Sequence, residues 1–140
     1  MADPLPSKRK IVIDTNIWIS GLIFGGIPAE VIELFINGQI VLITSEENMS
    51  ELRRKIHQRF PLFAPQLPIL EALIKEQAII VKLGTNKVDI SRDTDDNKFI
   101  ETAVIGNAEY IISGDRDLLV VKTYDNIRII KPADFIKLFK

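Results

Sequence analysis

Six aspartates in this chain are spaced so that one acid pocket could collect them. Asp14 ends the apolar run Ile11-Val12-Ile13. Asp93, Asp95 and Asp96 cluster in "SRDTDDNKF", and Asp115 and Asp117 sit in "SGDRDLL". Carboxylates that converge repel one another, and burying them unpaired is costly. No lysine or arginine stands at either strand end to neutralise Asp14, but a divalent cation would. The chain has no cysteine and a single histidine, so the available ligands are hard oxygens. These favour Mg²⁺ or Mn²⁺ over zinc. Mg²⁺ keeps several waters and commonly meets substrate phosphates, which suits the pocket to phosphodiester or phosphoryl chemistry. One or two metals would activate a water and stabilise the leaving oxygen.

Each acid taken singly has a plainer reading. Asp95 can cap the helix that carries Phe99, with Asp96 in its first turn, and helix starts favour acids anyway. For Asp95 that reading is preferred. Asp115 and Asp117 fit a turn into a short helix with a capping acid. Capping does not explain why a third acid stands nearby, nor why Asp14 and Asp115 should share one edge.

That shared edge follows from the elements around them. Ile11–Ile13, Ile40–Ile43, Ala78–Val81, Tyr110–Ile112 and Ile127–Ile130 are continuous apolar runs rich in Ile and Val. Such runs suit strands buried on both faces of a parallel sheet. Helical patterns lie between them. Pro28 suits a first turn, Val31, Leu34 and Phe35 follow at helical spacing, and Gly38 stops the run. Ser45 is a candidate N-cap for the stripe Met49, Leu52, Ile56 and Phe60. Leu67, Leu70, Leu73 and Ile74 form another stripe, and "FPLFAPQLP" connects the two. Phe99, Ile100, Ala103 and Val104 form a fourth, closing near Gly106, and Pro132 opens a last helix through Phe135, Ile136 and Phe139. The alternation predicts an α/β fold: a three-layer α/β/α sandwich with a mainly parallel five-stranded sheet. In such folds ligands sit beyond the carboxyl ends of the strands. Asp14 and Asp115 then lie on the same edge.

The 140 residues fit one domain. We expect a flexible lead-in over residues 1–9, where Pro4 and Pro6 block regular structure, and a single domain over 10–140. With 46% hydrophobic residues and a mean hydropathy of +0.14 the chain can bury a core. No apolar run approaches the ~20 residues of a membrane helix, and "MADPLPSKRK" lacks the apolar core of a signal peptide. The lack of cysteine makes a cytoplasmic setting the default. A net charge of −1 argues against gripping nucleic acid by bulk positive charge. "SKRK" and "RRKIHQR" remain as local basic clusters, with a solvated face as the alternative.

Other chemistries fare worse. His57 lies between charged residues on a helical stretch, which suits a surface role. Neither G-x-G-x-x-G nor G-x-x-x-x-G-K-[ST] occurs, and Ser113 has no partner histidine at a plausible place.

Taken together, "IVIDTNIWISGL", "SEENMSEL", "DTDDNKFIETAVIGNAEYIISGDRDLL" and "IIKPADFIK" resemble PIN-domain proteins. The resemblance is closest to the VapC-like toxin ribonucleases of type II toxin–antitoxin pairs, and it runs from about Lys10 to Phe139. It implies a metal-dependent ribonuclease, an endonuclease, with acids around Mg²⁺ or Mn²⁺; single-stranded RNA is the expected substrate because a flat sheet edge has no feature for reading a duplex groove. By motif the catalytic acids are Asp14, Glu51, Asp96 and Asp115. Asp14, Asp96 and Asp115 hold the metal, and Glu51 completes the shell directly or through water. Asn16, Ser113 and Asp117 match auxiliary positions. On a helical wheel Glu51 points roughly opposite the Met49–Leu52–Ile56 stripe, beside Glu47, which reads as solvent or a cleft wall; only the motif assigns it to the site. Thr94 stands where many relatives have proline. Lys8, Arg9, Arg53, Arg54 and Lys98 are candidates for guiding the RNA backbone. The resemblance further implies an antitoxin partner and a homodimer.

Two other readings compete. "KPADF" resembles the Lys-Pro after the last strand of receiver domains, which bind Mg²⁺ in an α/β fold. A receiver, however, needs an acidic pair at its first strand end, and Asp14 is alone in its run. A PIN fold that binds RNA or a partner without turnover is the other. A haloacid-dehalogenase-type phosphatase is weaker still, because Asn16 stands where that chemistry wants its second aspartate.

Overall fold

The run that ends at Asp14 is the centre of the molecule. A computed structural model describes residues 8–84 and 97–139. Asp93, Asp95 and Asp96, and the first seven residues of the expected lead-in, lie outside the described residues. The chain runs β1 (Lys10–Ile13), α1 (Thr15–Ile19), a π-helical turn (Ser20–Phe24), α2 (Gly26–Ile36), β2 (Val41–Ser45), α3 (Glu46–Arg59), a 3₁₀ turn (Ala64–Gln66), α4 (Leu67–Gln77) and β3 (Ile79–Val81). It continues through α5 (Asn97–Ile105), β4 (Tyr110–Ile112), α6 (Arg116–Leu119), β5 (Thr123–Tyr124), β6 (Ile127–Ile130) and α7 (Pro132–Lys137).

Among the described residues the strands form one six-stranded sheet in the order β3-β2-β1-β4-β6-β5, parallel except for the β5–β6 pair. The five expected strands are all present, and β5 is an addition. It is a two-residue edge strand joined to β6 by Asp125 and Asn126, both at positive φ (52° and 68°). Two left-handed residues in succession make the tight hairpin turn whose twist matches the strands. A strand this short leaves no periodicity to read. A receiver sheet runs 2-1-3-4-5; here β3 lies outside β2, so the order departs from the receiver alternative.

Alternate side chains of the central strands feed two cores. Ile11, Ile13, Leu42, Tyr110 and Ile112 pack with Trp18, Phe35, Leu52, Ile56, Ile74 and Phe135 from α1, α2, α3, α4 and α7. Val12, Ile43, Ile111 and Ile129 pack with Phe99, Ile100, Ala103 and Leu118 from α5 and α6. This gives the expected α/β/α layering. Strand β3 departs from the expected two-sided burial: Ile79 and Ile80 are exposed because β3 is an edge. Arg9 belongs to the folded domain. Its carbonyl accepts from the Val41 N–H at 2.8 Å, and its guanidinium pairs with Glu109 at 2.9 Å. Among the described residues no single helix is long and apolar enough to cross a membrane.

Candidate active site at the carboxyl edge of the sheet

Registers decide which strand ends meet. Ile13 pairs with Ile112, and Ile112 with Ile130, so β1, β4 and β6 end level. Asp14 follows β1 and Ser113 follows β4. The Asp14 N–H donates to Ile112 O at 3.1 Å, and the Ser113 N–H to Ile130 O at 3.0 Å, so both residues are held by the sheet before their side chains act.

Asp14 is buried at 3% exposure, and α1 starts on it. Its Oδ1 accepts from the Ile17 N–H at 2.9 Å, and its Oδ2 accepts from the Ser113 hydroxyl. Ser113 Oγ in turn accepts the Asp115 N–H at 3.0 Å, and Asp115 Oδ1 accepts the Asp117 N–H at 2.8 Å as the cap of α6. One hydrogen-bonded line therefore joins Asp14, Ser113, Asp115 and Asp117. Burial pushes the Asp14 carboxyl up to about 6; the Ser113 hydroxyl and the Ile17 N–H oppose that rise, and the charge of Asp115 adds to it. A buried carboxylate whose direct partners are a hydroxyl and an amide, with a second acid beside it, matches the donor chemistry of a divalent cation. Among the described residues, however, no three acids stand close enough together to hold an ion. Asn16 is exposed at the same turn.

Of the two readings the wheel left open for Glu51, solvent and a cleft wall, the structure has the second: Glu51 lines a cavity with Glu46, Glu47, Ser50, Arg54 and Lys98. It is 5% exposed, not solvated. Met49, Leu52 and Ile56 join the core against the sheet, while Glu51 is covered by Thr15 at the start of α1 and by Lys98 in the first turn of α5. Glu51 Oε2 accepts from Thr15 Oγ at 2.6 Å and pairs with Lys98 Nζ at 2.9 Å; Oε1 faces Lys55 Nζ at 3.3 Å. Burial alone would raise its pKa, but the Thr15 hydroxyl, Lys98 and Lys55 outweigh it and hold the carboxyl below its ordinary value.

Beside it a buried polar cluster locks α3 to α5. Ser45 caps α3, accepting the Asn48 N–H at 3.2 Å as its sequence position implied. Asn48 Nδ2 donates to Thr102 Oγ at 3.1 Å, and Thr102 donates to Lys98 O at 2.7 Å. Thr15, Lys55, Asn48 and Thr102 were not singled out from the sequence. Lys55 had a readable signal, four residues after Glu51 on one helix. The others are visible only in three dimensions.

The basic candidates divide. Arg9 stands at the amino end of β1, the far edge from Asp14. Arg53 is tied to Glu71 at 2.8 Å and faces Glu46 at 3.8 Å. Arg54 and Lys98 line a cavity of about 420 Å³ together with Glu46, Glu47, Ser50 and Glu51.

A mostly parallel three-layer domain with carboxylates at the carboxyl ends of its central strands defines a class of α/β domains with an acidic edge site. Within that class, the PIN-domain family model matches residues 10–117, and the chain belongs to the PIN-domain family. PIN domains are generally nucleases and typically use divalent metal ions. An uncharacterized protein of Methanocaldococcus jannaschii is 32% identical, the match covering 95% of this chain and 93% of that protein. Among solved structures the fold is similar to a chain of the crystal structure of VapBC2 from Rickettsia felis bound to a DNA fragment from their promoter. The TM-score is 0.57 at 12% identity, covering 86% of this chain and 96% of that one.

Proposed function

We propose that this PIN domain is a metal-dependent ribonuclease that cleaves single-stranded RNA internally. The observation that carries the reading is Asp14, a carboxylate at the carboxyl end of the central strand, bonded to neutral groups and raised chiefly by its burial, with Asp115 adding to the rise. Asp14, Asp96 and Asp115 are the residues assigned to hold Mg²⁺ or Mn²⁺, which supplies Lewis acidity toward a phosphodiester and activates water when bound. The chain's own part is positioning. Ser113 fixes the rotamer of Asp14, and the start of α1 fixes its other oxygen. The Asp115 amide is anchored on the same serine, so the two acids keep their separation. Single-stranded RNA is favoured because a sheet edge has no feature for reading a duplex groove, whereas exposed loops can reach such a pocket.

Asp14→Asn is expected to abolish Mn²⁺-dependent cleavage of single-stranded RNA while the circular dichroism spectrum stays native. Full activity in a clean Asp14→Asn preparation would sink the proposal. RNA binding without turnover in the wild type would favour a PIN fold used for binding alone.

A toxin role, with an antitoxin partner, a homodimer and a cytoplasmic setting, completes the proposal. It rests on the motif resemblance and on the fold shared with a chain of the VapBC2 structure. Induced expression is expected to arrest growth, and the Asp14→Asn variant is expected not to; equal growth of the two would remove the toxin role.

A further inference from the structure

Glu51 already has its charge compensated. Its two oxygens face two ammonium groups and accept one hydroxyl proton, at 2.6 to 3.3 Å, in a site only 5% exposed. Among the described residues, the Glu51 carboxylate directly faces two ammonium groups and no other acid. A divalent cation brought to the same oxygens would meet Lys55 and Lys98 at close range, with little water between them to screen the repulsion. Glu51 also makes no three-acid group with Asp14 and Asp115 among the described residues. Lys98 differs from its partner in access: its side chain is 20% exposed, and it lines the cavity of about 420 Å³ with Arg54. Besides Glu51 itself, the acids on that cavity are Glu46 and Glu47, which are exposed and lie about one turn nearer the start of α3; Glu46 faces Arg53. Lys98 is thus less exposed than Glu46, whose side chain is 64% exposed, and is paired to the buried Glu51.

We propose that Glu51 is a positioning residue and not a metal ligand: with Thr15 behind it, it holds the Lys98 ammonium at the cavity, where Lys98 contacts a backbone phosphate of single-stranded RNA. The identity of the substrate rests on the ribonuclease reading above. A lysine fixed by a buried carboxylate pays less rotamer entropy on meeting a phosphate than a free one. A side-chain ammonium contacts a phosphate as a point charge, independent of base sequence.

Two measurements that need no turnover decide it. The first is the affinity of a fluorescent single-stranded RNA oligonucleotide in EDTA, titrated across salt. Lys98→Gln is expected to weaken binding and to lower the slope of log affinity against log salt by about 0.7, the share of one phosphate contact. The second is Mn²⁺ titration calorimetry on the full chain. Glu51→Gln is expected to keep its Mn²⁺ affinity within about threefold, where Asp14→Asn loses at least about tenfold. Thermal melts establish that each variant is folded, and Lys98→Gln, at a partly exposed position, carries the RNA arm even where Glu51→Gln unfolds. Loss of Mn²⁺ affinity in Glu51→Gln to the extent seen in Asp14→Asn overturns the proposal, and so does an unchanged salt slope in Lys98→Gln. A wild type that binds RNA through Lys98 yet cleaves none overturns the ribonuclease reading and leaves this one standing.

Discussion

The Ser113 hydroxyl donates to Oδ2 of Asp14, joining the carboxyl ends of β4 and β1, ninety-nine residues apart in sequence. Register alone brings the two backbones level; this bond adds the side chains and sets which way the carboxylate faces.

The titration of Asp14 has a definite sign. Its carboxyl is raised from 3.8 to about 6, so between those values the folded chain binds more protons than the unfolded one. Stability therefore falls as pH rises through that window, and the unfavourable contribution is complete above about 6. Its size is roughly 3 kcal/mol. Asp14→Asn removes that penalty and forfeits part of the Ser113 bond, so the variant is expected to be about 1–2 kcal/mol more stable than wild type at pH 7.5. Near pH 4 the advantage should vanish. Urea melts in EDTA at both pH values measure it. Glu51 titrates with the opposite sign, being lowered, but it is present in both proteins and cancels in the difference.

Ser113→Ala tests the same bond from the other side. The hydroxyl favours the ionised carboxylate, so its removal is expected to drive the Asp14 carboxyl further above about 6. If Asp14 must be ionised for catalysis, the acid limb of the kcat/KM profile moves to higher pH, by about one unit for a bond worth ~1.4 kcal/mol. An unshifted limb in a folded variant would mean that Asp14 is not the titrating group.

Thr102→Val addresses the clamp between α3 and α5. Thr102 bonds the Lys98 carbonyl and accepts from Asn48. Valine keeps the shape but strands the buried Asn48 amide, whose Oδ1 already has no partner among the described residues. The expected cost is about 1–3 kcal/mol in thermal or urea unfolding. Adding Asn48→Leu should recover most of it, because removing both partners leaves nothing unpaired. A double variant that is additive would show that the two side chains do not act together.

What the sequence could and could not reveal follows from how each residue is held. Asp14 was legible because a continuous apolar run announces a buried strand, and a strand end in a parallel sheet has one place to point. Ser45 was legible as a cap because capping is a local bond. The burial of Glu51 was not: the wheel left solvent and a cleft wall both open, and what buries it comes from Thr15 and Lys98, distant in sequence. Strand β3 looked like the central strands because Ile79 and Ile80 are as apolar as the rest, and nothing local marks an edge. Arg53 read as free basic charge, yet Glu71 on the neighbouring helix takes it. Local bonds were readable and bonds across the fold were not.

Gly106 tests how tightly α5 sits on the sheet that positions the site. The residue follows α5, and a Cβ there would lie 2.2 Å from Ile43 Cγ2 and 3.3 Å from Ile43 Cβ. Ile43 is fully buried in β2, so its side chain has no open space to turn into. Gly106→Ala must therefore shift either the end of α5 or the strand, at an expected cost of about 1–3 kcal/mol for overpacking. The cause is one methyl against another, so the cost should shrink in an Ile43→Ala background even though that change is itself destabilising. A double-mutant cycle on urea unfolding measures the coupling. Equal costs of Gly106→Ala in both backgrounds would mean that the glycine serves its backbone and not its contact with β2.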